Sequence, residues 1–263
     1  MAYDLASAAF DLPDGDAEGG VRRSYLLCAM PRSGSSLLSE ALAALGCLGT
    51  PIEYFDRTGA YAWLTERWGC PDLRAYVDLL HRRRRSAGGV FGAKVHWFQV
   101  RELAAGLGVD EPAAIRAVFP RCRFVYLHRR DRDRQAVSWA VARQTGWWSD
   151  GAGVYTGARP VPSYRFELVE ECRRDLEAGE AAWRALFAAA GARPLEVAYE
   201  DLVASLGPSV AEVAAFLGER VDPAAVPPPR LRRQADGLSE EMVERYRADR
   251  RARTTTLDDS VPG

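Results

Sequence analysis

The stretch PRSGSS, at positions 31–36, places an arginine, a glycine and three serines between an apolar run and a helical pattern. Backbone N–H groups at the start of a helix have no intrahelical partners, and the helix dipole makes that end positive. Gly34 lets the backbone approach a ligand closely, and Arg32 offers a planar fork of donors. Ser35 and Ser36 can cap the helix and donate hydroxyls. The stretch therefore predicts a phosphate or sulfate site; a plain strand-to-helix turn with a serine cap is the alternative.

Two common kinds of anion loop are excluded at this position. A Walker A loop needs GxxxxGK[ST], but the chain contains one lysine, Lys94, and Ala93 precedes it. A cysteine phosphatase loop needs an arginine six residues after its cysteine, whereas Gly34 stands at that distance from Cys28. The loop belongs to another kind of anion-binding protein.

A second basic stretch, HRRDRDRQAVS, follows the apolar run of residues 123–128. Arg129 and Arg130 come where that run ends, and Ser138 lies in the helical pattern that follows. Cations at the carboxyl end of a strand bind an anion directly, whereas a metal-bridged phosphate would call for aspartate there. The stretch predicts a second anion site without a metal; a basic helix start, partly offset by two aspartates, is the alternative.

Both stretches fit into an alternation of strands and helices. Apolar runs at 24–30, 89–95, 123–128 and 194–199 are typical of strands, and helical patterns separate them, the longest at 163–190. This order predicts an α/β fold with a central parallel sheet flanked by helices. We expect one domain at 24–250, a weakly ordered segment at 1–23 and a polar tail at 251–263.

The composition excludes several classes of partner. A chain of 263 residues that is 48% hydrophobic and 27% charged, with a net charge of −1, has no general attraction to nucleic acid or membranes. No apolar segment approaches the roughly 20 residues that span a bilayer. Five scattered cysteines without a CxxC pair are typical of reduced thiols, which predicts a cytoplasmic protein.

Two anion sites on neighbouring strands, without a Walker lysine, fit a nucleotide that carries anions at its 5′ and 3′ ends, 3′-phosphoadenosine 5′-phosphosulfate (PAPS). The chain also resembles a known family. PRSGSS is similar to the 5′-phosphosulfate loop of sulfotransferases, and HRRDRDRQAVSW to their 3′-phosphate motif. Four further stretches follow one another along the chain: GTPIEYFD, GVFGAKVHW, QAVSWAVARQTG and RRQADGLSEEMVERYR. Together with the first two stretches, they resemble the Stf0 sulfotransferase family from about position 24 to about position 250.

The resemblance implies a P-loop-like sulfotransferase fold, PAPS as donor, PAP as product, no metal and a homodimer. It assigns the general base to Glu53, in PIEYF. By analogy with phosphoryl transfer, Arg32 would stabilise charge. Lys94, the single lysine, is an alternative proton donor; that its retention is chance is the other interpretation. The expected donor contacts are Arg32, Ser33, Gly34, Ser35, Ser36, Arg129, Arg130, Ser138, Arg233 and Gln234. The expected acceptor contacts are Glu53, His96, Trp97, Gln144 and Trp147, of which the tryptophans can stack on sugar rings.

The acceptor is predicted only as a carbohydrate or related small molecule. Where the family pattern GEPxEFF has an acidic residue before the proline, this chain has Thr50, so that two acceptors for sugar hydroxyls are missing.

Two other functions stay open. A nucleotide-dependent kinase would use the acids of AYEDL, where we expect Asp201 to be a helix cap instead, and a noncatalytic protein would bind the nucleotide without turnover. We expect the run HRRRR, at 81–85, to be a solvated helix end.

Overall fold

The computed structural model of the protein describes residues 6–12, 20–148, 158, 160–230 and 237–258. A parallel sheet has the spatial order β2-β1-β3-β4. Its strands are β1 (Arg23–Ala29), β2 (Val90–His96), β3 (Cys122–His128) and β4 (Leu195–Ala198). The predicted parallel sheet is confirmed, and each strand begins and ends within about one residue of its apolar run.

Helices precede, separate and follow the strands along the chain. They are α1 (Ser35–Ala44), α2 (Ala60–Trp68), α3 (Leu73–Arg83), α4 (Trp97–Leu107), α5 (Glu111–Val118), α6 (Arg132–Thr145), α7 (Phe166–Ala189), α8 (Tyr199–Ala204), α9 (Leu206–Phe216) and α10 (Gly237–Asp258). Short 3₁₀ turns lie at Ala8–Phe10 and Pro223–Ala225. Among the helices in the described ranges, none combines the length and the apolar character that a membrane crossing requires.

The two faces of the sheet are buried by different helices because side chains alternate along a strand. Leu27 and Val125, which are register partners on β1 and β3, belong to one buried cluster with α1 and α9. On the opposite face, Phe124 and Tyr126 of β3 pack against Phe187 of α7, with ring centroids 5.4 and 5.6 Å apart. Burial on both faces explains why the strands are continuous apolar runs.

The described residues divide into two compact units. One contains residues 6–128 and 179–229, and therefore the whole sheet, α1 to α5, α8 and α9. The other contains residues 129–178 and 237–258, with α6, the first half of α7, and α10.

Two sequence predictions about polar residues are wrong. Arg84, in the run HRRRR, is fully buried, because its guanidinium lies 2.8 Å from Asp11 and donates to the carbonyl of Ala6. These contacts come from a segment far away in the sequence, so no local pattern could indicate them. Asp201 lies in the first turn of α8 and does not cap it, since the N-cap position belongs to Ala198.

Candidate active site

The sheet has a topological switch point at the carboxyl ends of β1 and β3. The chain leaves β1 toward β2 on one side, and leaves β3 toward β4 on the other. In open α/β sheets, ligands bind at such a point, outside the carboxyl ends of the strands. β1 ends at Ala29, directly before PRSGSS, and β3 ends at His128. The first anion loop therefore lies where the sheet geometry favours a ligand site.

Two residues of the loop between β1 and α1 have a left-handed backbone. Arg32 and Gly34 have positive φ values of 65° and 84°. A Cβ on Gly34 would lie 2.5 Å from the ring of Tyr199, so only glycine fits there. Ser33 is fully buried, and its Oγ has no hydrogen-bond partner among the described residues. A buried hydroxyl of this kind is costly unless a ligand completes its bonding.

The predicted serine cap of α1 is wrong. Gly34 occupies the N-cap position and offers no side chain, while Ser35 and Ser36 lie inside the first turn. No side chain at the N-cap position therefore accepts a hydrogen bond from the first N–H groups of the helix. The hydroxyl of Ser36 accepts from Lys94 instead, at 2.9 Å.

The segment that carries Glu53 is held by hydrogen bonds to its backbone. The hydroxyl of Ser39 donates to the carbonyl of Pro51, and the amide of Lys94 donates to the carbonyl of Ile52 at 3.0 Å. The hydroxyl of Tyr76 donates to the carbonyl of Tyr54 at 2.7 Å. These bonds fix the residues on both sides of Glu53 to α1, β2 and α3, which gives a loop carboxylate the precision of a rigid element.

Alternation along β2 places Lys94 and His96 on the same face of the sheet. Lys94 Nζ lies 2.6 Å from Glu53 Oε1 and 2.9 Å from Ser36 Oγ. The ammonium group therefore links the carboxylate to the first turn of α1. Its side chain is only 9% exposed, so these charge-assisted bonds replace most of its hydration.

His96 faces the same carboxylate oxygen. Its Nε2 lies 3.6 Å from Glu53 Oε1, and its Nδ1 lies 3.2 Å from the carbonyl of Ala29. A carbonyl only accepts, so Nδ1 carries a proton, and Nε2 is a donor toward Glu53 only in the charged ring. In its charged form, His96 therefore adds a second donor beside the carboxylate of Glu53.

Gln99 is a functional candidate that the sequence did not indicate. Its Nε2 donates to Glu53 Oε2 at 2.8 Å, while its Oε1 accepts from the backbone N–H of His96 at 2.9 Å. The second bond caps α4, in a glutamine version of the capping box. A His-x-x-Gln pair after a strand is the one local signal that could have indicated Gln99.

The pKa of Glu53 is set by opposing effects. Burial raises the pKa, but the charges of Lys94 and His96, with their hydrogen bonds, outweigh burial and hold it well below the usual range. Glu53 is therefore ionised at neutral pH. It is also a weak base as long as Lys94 stays at 2.6 Å, because a low pKa means a low affinity for protons.

The second unit contains the basic stretch that follows β3. Asp131 caps α6 by accepting from the N–H of Arg134 at 3.0 Å. Arg247 of α10 lies 2.8 Å from Asp131 and 3.3 Å from Asp133. Burial raises the pKa of Asp131, but these bonds together lower it. Arginines of α6 and α10 thus neutralise the acids at the start of α6.

The sequence model of the Stf0 sulphotransferase family matches residues 24–249. The chain belongs to this family. A trehalose 2-sulfotransferase from Mycobacterium tuberculosis (strain ATCC 35801 / TMC 107 / Erdman) is 34% identical over 258 residues, which cover 86% of this chain and 95% of the relative. A trehalose 2-sulfotransferase from Mycolicibacterium smegmatis (strain ATCC 700084 / mc(2)155) is 32% identical over 257 residues, with the same coverage. The resemblance predicted from these short motifs is confirmed, and the protein is a sulfotransferase enzyme.

In this Stf0 sulfotransferase, the structure brings together Glu53, Lys94, His96 and Ser36 within one compact unit. Trp97 lies beside this group in the sequence, but its ring packs edge-on against the buried Trp183, with centroids 5.2 Å apart. Stacking of Trp97 on a sugar stays a prediction.

The remaining predicted residues lie elsewhere. The other unit contains Arg129, Arg130, Ser138, Gln144 and Trp147. Arg129 is buried, Ser138 is half-buried in α6, and Gln144 accepts from the backbone N–H of Ser163 at 3.1 Å. Arg233 and Gln234 lie outside the described residues.

Proposed function

We propose that this sulfotransferase moves a sulfonyl group from PAPS to a hydroxyl of a carbohydrate or related small molecule. The observation that carries the proposal is the linked trio of Glu53, Lys94 and Ser36, which joins a carboxylate base to the anion loop through one ammonium group. PAPS supplies the sulfonyl group and leaves as PAP, whose phosphate oxygen keeps the electron pair of the broken S–O bond.

The residues of the loop fit a phosphosulfate. The hydroxyl of Ser33 needs a partner, Gly34 allows close approach, and the first N–H groups of α1 have no capping side chain. Lys94 and Arg32 supply positive charge for the group that is transferred. We assign Ser35, Ser36, Arg129, Arg130 and Ser138 to the same nucleotide by family resemblance, together with Arg233 and Gln234.

Glu53 is proposed as the base that removes the proton of the acceptor hydroxyl. That hydroxyl has a pKa far above 7, so its proton must leave while oxygen attacks sulfur. Lys94 weakens Glu53 as a base while it contacts Oε1. Since the same ammonium also contacts Ser36, a shift of Lys94 toward the loop would stabilise charge there and restore the basicity of Glu53.

Trehalose is our candidate acceptor, because both relatives are named for their action on it. Thr50 is an argument against trehalose. It is buried, and its carbonyl accepts from the hydroxyl of Tyr54. A threonine cannot provide the two carboxylate oxygens that the family pattern has before the proline. We therefore expect a glycoside whose hydroxyls are arranged differently to compete with trehalose.

Assembly and location stay predictions that accompany this function. Family resemblance predicts a homodimer, and the reduced cysteines predict a cytoplasmic enzyme. Light scattering at micromolar concentration measures the first of these directly.

A calorimetric titration tests the proposed function against the kinase alternative. We expect PAP to bind without magnesium and to bind more tightly than ATP, because the chain has a 3′-phosphate motif and no Walker A loop. Binding of ATP that requires magnesium, with no binding of PAP, would support a kinase instead.

Two variants test the residues assigned to the donor. Arg32→Ala should weaken PAP binding about 10-fold to 100-fold and Ser138→Ala about 10-fold, the usual effects of losing a charged and a neutral hydrogen bond. Arg101→Ala, which removes an exposed arginine of α4, is the control and should bind PAP normally. If both site variants keep the affinity of the unmodified enzyme, the assignment is wrong.

A further inference from the structure

Gln99 connects the carboxylate of Glu53 to the start of α4. It is 1% exposed and stands at the third position of the helix, three residues after His96. One end of its amide bonds to the backbone of His96 and the other end to Glu53 Oε2. A fully buried polar side chain that uses both ends of its amide has little freedom to move.

The direction of this amide follows from its partners. A backbone N–H only donates, so the oxygen of Gln99 must face His96. The NH₂ group is then directed at Glu53. The hydrogen-bond network therefore permits only one orientation of the amide.

The two oxygens of Glu53 therefore have different surroundings. Oε2 accepts from the neutral N–H of Gln99, while Oε1 faces the ammonium of Lys94 at 2.6 Å and the ring of His96 at 3.6 Å. A neutral donor on a helix stays in place through the reaction, whereas Lys94 also has Ser36 as a partner. Oε1 is the oxygen that becomes available when Lys94 shifts toward the loop.

We propose that Gln99 is a positioning residue of the sulfotransfer reaction, which holds Oε2 so that Oε1 of Glu53 receives the proton of the acceptor hydroxyl. The O–H bond of the acceptor breaks, and its proton binds to Oε1. The acceptor oxygen forms a bond to sulfur while the S–O bond to the phosphate of PAPS breaks, and PAP leaves with that electron pair. The Glu53 side chain is 27% exposed, so an acceptor can reach it. This inference rests on the proposed role of Glu53 as base.

Two substitutions separate positioning from helix capping. Gln99→Glu keeps an oxygen for the N–H of His96, and glutamate is as good as glutamine in a capping box, but it removes the donor to Glu53. Gln99→Met keeps the length and removes both bonds. A residue that serves only as a cap would tolerate glutamate and would lose stability with methionine.

We expect both variants to lower kcat with PAPS and trehalose about 10-fold to 100-fold, the cost of a displaced catalytic group, and to leave PAP affinity unchanged. In a Glu53→Gln background, Gln99→Met should cost little more, because residues that act as one unit are not additive. A full additional loss in that background would contradict positioning through Glu53.

A second readout does not depend on turnover. NMR titration of isotope-labelled glutamate carboxyls, with Glu53→Gln for assignment, should show that Gln99→Met raises the pKa of Glu53. Gln99→Glu should add a carboxyl with a raised pKa, because two carboxylates within hydrogen-bond distance cannot both ionise easily. Wild-type kcat together with no new titration in Gln99→Glu would overturn the proposal. If Glu53→Gln keeps its kcat, the proposed base is wrong, and the titration alone then decides whether Gln99 orients the carboxylate.

Discussion

Replacing Glu53 with glutamine should lower kcat by about 10² to 10⁴, the range for loss of a general base. Glutamine keeps the shape of the side chain, and its one carbonyl oxygen can still accept from either Lys94 or Gln99. It cannot take a proton at neutral pH. Because proton removal belongs to the transition state, PAP affinity should stay nearly unchanged. The measurement is steady-state kinetics with PAPS and a true acceptor, together with PAP titration.

Glu102→Gln is a matched control for this variant, since it removes an exposed glutamate of α4. It should keep wild-type kcat. If Glu53→Gln stays within a few-fold of wild type, Glu53 is removed from the mechanism, and His96 and His128 are the next bases to test. A rise in KM with little change in kcat would mean that Glu53 only orients the acceptor.

Replacing Lys94 with methionine should lower kcat by about 10² to 10³, the usual cost of one donor that stabilises charge in the transition state. The same change should raise the pKa of Glu53, because a positive charge 2.6 Å from Oε1 is lost. The wild-type carboxyl is ionised above its lowered pKa, so activity is lost only as the pH falls through that value. In Lys94→Met this acidic loss should begin at a higher pH.

Lys94→Arg is the control that keeps a positive charge, and it should recover part of the activity and the low pKa of Glu53. Because Lys94 is the chain's one lysine, isotope-labelled lysine gives a single NMR signal. We expect PAP to shift this signal, since Lys94 contacts the anion loop at Ser36. An unchanged signal at saturating PAP, with normal kcat in Lys94→Met, would exclude Lys94 from the site.

Most of the sheet could be predicted from the sequence, because strands buried on both faces leave continuous apolar runs. Helix α7 could be predicted because burial of one face makes its apolar residues recur at helical spacing. The start of α1 could not: serines favour capping, but the close approach of Tyr199 to Gly34 decides the turn, and the two are far apart in the sequence. The burial of Arg84 could likewise not be predicted, because its partner, Asp11, is distant in the sequence.

Only part of the candidate site could be predicted from the sequence. The anion loop follows from local chemistry, whereas Glu53 required family resemblance, since an isolated loop glutamate is usually solvated. Lys94 stands out in the sequence as the single lysine, but its contacts with Glu53 and Ser36 depend on the fold. Gln99 could not be predicted, because its role depends on Glu53, which lies on a segment distant in the sequence.

Transfer of labelled sulfur from PAPS to a panel of hydroxyl acceptors, trehalose among them, is the most direct measurement of the proposed function. The reaction would be run without added metal and analysed by mass spectrometry. We expect a sulfated product, with one PAP formed for each sulfonyl group transferred. Binding of PAP without transfer to any acceptor in the panel, or phosphorylation of an acceptor with ATP and magnesium, would contradict it.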